Sequence, residues 1–77
     1  MSKLAPVTGG QMCRVLELAG FTLARVNSSH HFYEHPGGWA ASVPVHSGKQ
    51  LPLGTQLGIM GSAGINRQRF LELLRRI

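Results

Sequence analysis

A chain of 77 residues can build only one small hydrophobic core, and this limit excludes most enzyme architectures. A core of this size supplies roughly 3–5 kcal/mol of net stability, which leaves no room for a second domain, a dinucleotide-binding unit or a barrel. Because 43% of the residues are hydrophobic, we expect the chain to fold rather than remain disordered. The sequence therefore predicts one domain over residues 1–77.

The balance of charge points to a polyanionic partner. Eight Lys and Arg residues against three Asp and Glu give a formal net charge of +5, which favours nucleic acid first and an anionic membrane surface second. The single Cys13 excludes an intramolecular disulfide framework and a Cys-rich zinc site, and we expect it to be buried as a small hydrophobe. The first eleven residues carry Lys3 but no apolar run, and no stretch is long enough to span a membrane. The predicted compartment is the cytoplasm.

Apolar periodicity and turn residues predict the order α-β-β-β-α, with a short helix before the last one. The first helix is expected to have Thr8 as its N-cap and to end at Gly20. The short helix is expected to begin at Thr55 and the last one at Asn66. The three strands are expected over residues 21–26, 30–35 and 39–45. Because Pro44 cannot donate a ladder hydrogen bond, the third strand should lie at an edge or end there.

Half of the basic residues lie in the last helix, outside its apolar stripe: Arg67, Arg69, Arg75 and Arg76. Two interpretations are the solvated face of a docked helix and a phosphate-binding surface, while a membrane-surface helix is disfavoured because the segment is short. Arg25 and Lys49 flank the two His-bearing segments. They are therefore the better candidates for holding a phosphate close to reacting groups.

Four histidines, His30, His31, His35 and His46, lie at the ends of predicted strands, where side chains can meet a ligand. Because successive strand residues face opposite sides, His30 and His31 cannot both serve one site on the same face. Structural, metal-binding and acid–base roles compete. With one distant Cys and only Glu34 nearby, a metal site is disfavoured. A histidine on a basic surface also suits RNA cleavage without a metal, as the base that deprotonates the 2′-hydroxyl.

Three ordered blocks carry a family resemblance. Residues 25–36 (RVNSSHHFYEHP) resemble the Gly-Ser-His-His-x-Phe-x-His-Pro motif of HicA-type toxins. Residues 43–49 (VPVHSGK) are similar to the family's Val-Pro-x-His-x-Gly-Lys segment. Residues 54–65 are similar to its Gly-Thr-Leu-Arg-x-Ile-Leu-x-x-Ala-Gly-Ile segment. Together the blocks cover roughly residues 11–74 in the family's order and spacing, which makes the resemblance specific.

The resemblance implies the toxin half of a HicA/HicB toxin–antitoxin module. The implied fold is an α+β, double-stranded-RNA-binding-domain-like α-β-β-β-α fold, with a three-stranded antiparallel sheet and helices on one face. The implied activity is that of a translation-blocking mRNA interferase, an endoribonuclease with one essential histidine and no metal ion or cofactor. A HicB-like antitoxin would cover the site. By position the essential residue is His30, with His31 as the runner-up, and the RNA-binding or assisting candidates are Arg25, Ser29, His46 and Lys49.

The chain departs from the family motif in two blocks. Ser28 stands where the motif has Gly, so a positive φ there would be strained unless Asn27 adopts it. Gln56 and Leu57 replace a Leu-Arg pair, and Gly61 stands where a basic or polar residue is common. The lost charge would weaken RNA binding and leave Leu57 exposed. Two alternatives therefore stay open: a non-catalytic module that binds double-stranded RNA, and a degenerate toxin retained for partner binding.

Overall fold

The computed structural model describes residues 4–77, so Lys3 and the start of the predicted domain lie outside the described residues. The elements are α1 (Gly9–Leu18), β1 (Thr22–Asn27), β2 (His30–Glu34), β3 (Ala40–Pro44), α2 (Leu53–Ala63) and α3 (Arg67–Leu74). The predicted α+β class and element order are confirmed. Each strand boundary lies within one residue of its predicted position, because turn residues separate the strands in the sequence.

The first helix begins with a capping box. The backbone N–H of Gln11 donates to Thr8 Oγ1 at 3.2 Å, and the N–H of Thr8 donates to Gln11 Oε1 at 2.8 Å. The helix ends at Leu18 with Ala19 as its C-cap, and Gly20 follows directly with a φ of 98° that glycine adopts without strain. The predicted N-cap and terminator of α1 are both confirmed.

The second helix begins earlier than predicted. Thr55 was expected to cap it, and this expectation was wrong, because α2 begins at Leu53 directly after Pro52. Pro52 has a φ of −57°, and its carbonyl accepts the first helical hydrogen bond from the N–H of Gln56 at 2.9 Å. Proline fixes a φ that suits the start of a helix and needs no donor there. A hydroxyl cap is therefore not required.

The sheet is an antiparallel meander with the order β1-β2-β3. Tyr33, Ala41 and Val43 are buried, whereas the alternating Phe32 and Ser42 lie on the opposite, more exposed face. The helices therefore cover one face of the sheet and leave the other accessible; we call the accessible side the open face. Pro44 is the last residue of edge strand β3, as predicted.

The core between the sheet and the helices contains one buried polar side chain among the described residues. Gln56 is 1% exposed, and its Nε2 donates to the carbonyl of Ala5 at 2.8 Å. This bond satisfies the amide and ties the N-terminal segment to α2. Of the two residues that replace the Leu-Arg pair, Gln56 therefore belongs to the core, and Leu57, which is 45% exposed, carries the loss of surface charge.

Cys13 lies in the same core, as predicted. Burial raises the pKa of its thiol above the ordinary value, because desolvation disfavours the thiolate. The thiolate is the nucleophilic form of cysteine. The side chain is therefore a packing residue rather than a reactive one.

Candidate functional site

The β1–β2 hairpin and the end of β3 meet at one end of the sheet. His30, the first residue of β2, lies directly opposite Pro44 at the end of β3. The N–H of Val45 donates to the carbonyl of Ser29 at 2.7 Å, which extends the pairing by one step. Ser29 and His30 are therefore held beside the start of the loop that follows β3.

That loop brings two further predicted residues to the same end. His46 and Lys49 line a depression of about 310 Å³ whose wall includes Pro44, the residue opposite His30. The N–H of Lys49 donates to the carbonyl of His46 at 3.0 Å, and the N–H of Leu51 donates to the carbonyl of Val7 at 2.8 Å. These bonds fold the loop back against the domain. Four of the predicted site residues, Ser29, His30, His46 and Lys49, thus share one region, which we call the hairpin end.

The remaining predicted basic site residue, Arg25, lies on the open face, and the aromatic ring of Phe32 lies between it and His30. The Cζ of Arg25 lies 4.1 Å from the ring centroid of Phe32, in cation–π geometry. The ring of Phe32 is in turn 6.4 Å from that of His30, with an angle of 36° between the planes. The order Arg25, Phe32, His30 therefore runs along the open face. Phe32 was not predicted as a site residue, although strand alternation already placed it on the face of His30.

A β-bulge explains why Arg25 reaches this face. Leu23 lies opposite Tyr33 and Arg25 opposite Phe32, so the register shifts by one residue between them. Without the bulge, Leu23 and Arg25 would point to the same side of the sheet. The inserted residue, Ala24, turns the guanidinium to the open face.

The other two histidines have different surroundings. His31 lies between Val26 and Val43 on the face toward the helices, so it does not share the face of His30. His35 has a structural role, because its Nδ1 accepts a hydrogen bond from the N–H of Gly37 at 2.9 Å. Its ring also packs 5.0 Å from the ring of Phe21. Of these three histidines, His30 is therefore the one that lies on the open face with Phe32.

A part-buried hydrogen bond fixes the strand that carries His30. The Tyr33 hydroxyl donates to Glu17 Oε2 at 2.8 Å and so joins β2 to α1. Burial, together with this bond to a carboxylate, raises the pKa of Tyr33 above its ordinary value. The phenol therefore stays a neutral donor. The bond it makes fixes β2, the strand that carries His30, against α1.

The turn before His30 contains a strained residue. Ser28 has a φ of 60°, in the left-handed region, and it is the only described non-glycine residue with a positive φ. It is the first of the two residues between the paired Asn27 and His30, the position at which a type II′ hairpin turn favours glycine. Asn27 does not relieve this strain, because Ser28 itself adopts the positive φ.

Replacing Ser28 with glycine is expected to stabilise the protein. An L-residue in the left-handed region costs about 1–2 kcal/mol, partly offset by the greater chain entropy of glycine in the unfolded state. A net gain of about 0.5–1 kcal/mol would raise the Tm by a few degrees for a domain of this size. Thermal unfolding followed by circular dichroism checks this. Ser28→Ala is the control and should show no gain; an equal gain in both variants would contradict the strain argument.

The described residues carry no cluster of three or more His, Cys, Asp and Glu side chains that could hold a metal ion. Within residues 4–77 no helix has the length and apolar character needed to cross a membrane.

The fold and the hairpin end define a class of small α+β proteins that carry an exposed histidine and basic side chains on a three-stranded antiparallel sheet. The family model described as the HicA toxin of bacterial toxin-antitoxin matches residues 9–65 of the 77. The chain belongs to the HicA toxin family. It is therefore the toxin of a toxin–antitoxin module, whose partner is an antitoxin. None of the curated proteins compared with the chain matches it.

Proposed function

We propose that this toxin is a metal-independent endoribonuclease that cleaves mRNA in the cytoplasm and so blocks translation. The observation that carries the proposal is the exposure of His30 on the open face, next to the Arg25–Phe32 pair and beside the loop of His46 and Lys49. An imidazole that titrates near neutral pH is suited to proton transfer, and cations beside it suit a phosphate substrate. Residues 1–77 would act as one domain.

His30 would act as the general base. It would take the proton of a ribose 2′-hydroxyl, and the resulting oxygen would attack the adjacent phosphorus. The bond from phosphorus to the 5′-oxygen would break, and that oxygen would leave with a proton. His46 would supply this proton, because its loop begins beside the Pro44 that lies opposite His30. The products would be a 2′,3′-cyclic phosphate and a 5′-hydroxyl, so atoms and charges balance without a metal ion.

The cations would stabilise the transition state. Arg25 lies along the open face on one side of His30, and Lys49 lies at the hairpin end. Both would contact phosphate oxygens, whose charge increases when the pentacoordinate phosphorane forms. Ser29, whose carbonyl is engaged by the N–H of Val45, would keep its hydroxyl available for an RNA contact. These contacts would make binding weaker at high salt.

Incubating the purified protein with a synthetic RNA in EDTA tests the proposal. Cleavage should proceed with the chelator present, because no step requires a divalent cation. RNA that is retarded in a gel but never cut, with or without EDTA, would contradict the proposal and favour the non-catalytic RNA-binding module. The shift of a duplex and of a single strand should be compared, since that rival recognises double-stranded RNA by shape.

The exposed apolar surface of α2 favours a second role for the protein, partner binding, in addition to catalysis. Leu53 and Leu57 are 60% and 45% exposed, lie one turn apart, and belong to a helix without charged residues. We propose that a HicB-like antitoxin is the partner and that this face contributes to the complex while the antitoxin covers His30. If the protein co-purifies with its antitoxin yet never cleaves RNA after release, the degenerate-toxin alternative is correct.

A further inference from the structure

The open face carries a carboxylate that a phosphate-binding surface does not need. Of the three acidic residues of the chain, Glu17 accepts the hydrogen bond of Tyr33, and Glu72 pairs with Arg69 at 3.7 Å. Within residues 4–77, no hydrogen bond or ion pair engages the side chain of Glu34. Glu34 is exposed on the same face as His30 and Phe32, where its charge would repel an RNA phosphate. We therefore expect Glu34 to contact a part of the RNA other than its phosphates.

Glu34 lines a depression on the open face. The depression has a volume of about 380 Å³, and its walls include the open-face residues Arg25, Phe32, Glu34 and Ser42. Ser62 of α2, the helix that packs against edge strand β3, also contributes to its lining. Ligand pockets generally span about 300–1,000 Å³, so this volume is sufficient for a nucleobase. The guanidinium of Arg25 over the Phe32 ring supplies a flat cationic surface, and bases stack on such surfaces.

We propose that this depression is a base-recognition subsite that selects guanine in single-stranded RNA; the inference rests on the proposed function and adds a specificity determinant to it. An ionised carboxylate only accepts hydrogen bonds and offers two oxygens side by side. On its Watson–Crick edge, guanine presents two adjacent donors, N1–H and the N2 amino group. Uracil, cytosine and adenine each present one donor next to an acceptor. The Glu34 carboxylate therefore matches guanine, while the Arg25–Phe32 pair stacks on its ring.

The position of the depression links recognition to cleavage. Phe32 separates Glu34 from His30 along β2, with the three side chains on one face. A guanine held at Glu34 would place a neighbouring ribose and phosphate toward His30. Because stacking and edge recognition require an unpaired base, the subsite would admit a single strand and exclude a duplex.

Binding to an oligonucleotide that cannot be cleaved tests the subsite independently of catalysis. The probe is a fluorescent nine-nucleotide strand of 2′-O-methyluridines with one central 2′-O-methylguanosine, compared with the same strand carrying 2′-O-methylinosine, which lacks the N2 amino group. We expect the wild-type protein to bind the guanosine strand at least about tenfold more tightly, since a hydrogen bond to a charged group is lost with inosine. Glu34→Gln should bind both strands within about twofold of each other, because an amide cannot accept both donors.

Glu72→Gln is the matched control, because it makes the same change of charge on the exposed face of α3. It should retain the tenfold preference and show how much the loss of one negative charge alone raises affinity. Equal binding of the two strands by the wild-type protein, a preference that persists in Glu34→Gln, or no binding of either strand would overturn the subsite. Failure of the wild-type protein to cleave unmodified RNA would instead overturn the proposed function, since the 2′-O-methyl probes lack the attacking hydroxyl.

Discussion

Replacing His30 with alanine is expected to lower the rate of RNA cleavage by about 10²–10⁴-fold, the usual contribution of a general acid or base. The side chain is exposed on the open face and has no described hydrogen bond, so its removal should not disturb the core. Cleavage of a fluorescent RNA under single-turnover conditions measures the effect. In cells without the antitoxin, the variant should also fail to arrest growth.

His31→Ala is the matched control for this prediction. Its side chain lies on the other face of β2, between Val26 and Val43, so it should retain most of the cleavage activity. Thermal unfolding of both variants separates a loss of chemistry from a loss of fold. RNA decay that continues undiminished in His30→Ala, or that disappears only in a folded His31→Ala, would contradict the assignment and favour the runner-up.

The second large effect is a loss of stability, which we expect on replacing Gly9, where α1 meets the end of β3. A Cβ added to Gly9 would overlap the carbonyl oxygen of Pro44 and would lie 2.9 Å from the Cα of Val45. Both are backbone atoms that cannot rotate away, so Gly9→Ala must push the helix from the strand. We expect a cost of about 1–3 kcal/mol, typical of overpacking, from a net stability that is itself only a few kcal/mol. The Tm should fall by roughly 10 °C.

Gly10→Ala, at the adjacent position, is the control, and we expect it to raise the stability that Gly9→Ala lowers. There the added Cβ has only Thr8 Oγ1 as a neighbour, at 3.9 Å. Replacing a helical glycine by alanine without a clash should stabilise the protein by about 0.5–1 kcal/mol. Urea and thermal unfolding of the two variants give the comparison. A Gly9→Ala protein as stable as the wild type would show that α1 and β3 are not packed this closely.

The elements of the fold could be predicted because each has a local signal. The Thr8 cap, the Gly20 terminator and the turn around Pro36 follow from the conformations those residues favour. The start of α2 was misplaced because Thr55 is a good cap in isolation, whereas the fixed φ of Pro52 begins the helix earlier. Both Pro52 and Thr55 are favourable at the start of a helix, and the sequence alone does not rank the two signals.

The candidate site could be predicted only in part. His30 followed from the family motif, and strand alternation separated it from His31. The pairing of Arg25 with Phe32 could not be foreseen, because it depends on a bulge that the alternation of β1 does not indicate. The place of His46 and Lys49 depends on long-range bonds such as that from Leu51 to Val7, which no local pattern specifies.

The most direct test of the central claim, that His30 activates a ribose 2′-hydroxyl, is a single atomic change in the substrate. The cleavage position in a synthetic RNA is mapped, and the nucleotide on its 5′ side is then replaced by its 2′-deoxy form. We predict that cleavage at that position stops in EDTA, while the unmodified strand yields a 2′,3′-cyclic phosphate and a 5′-hydroxyl. Continued cleavage of the 2′-deoxy strand, or products that end in a 3′-hydroxyl, would contradict the account.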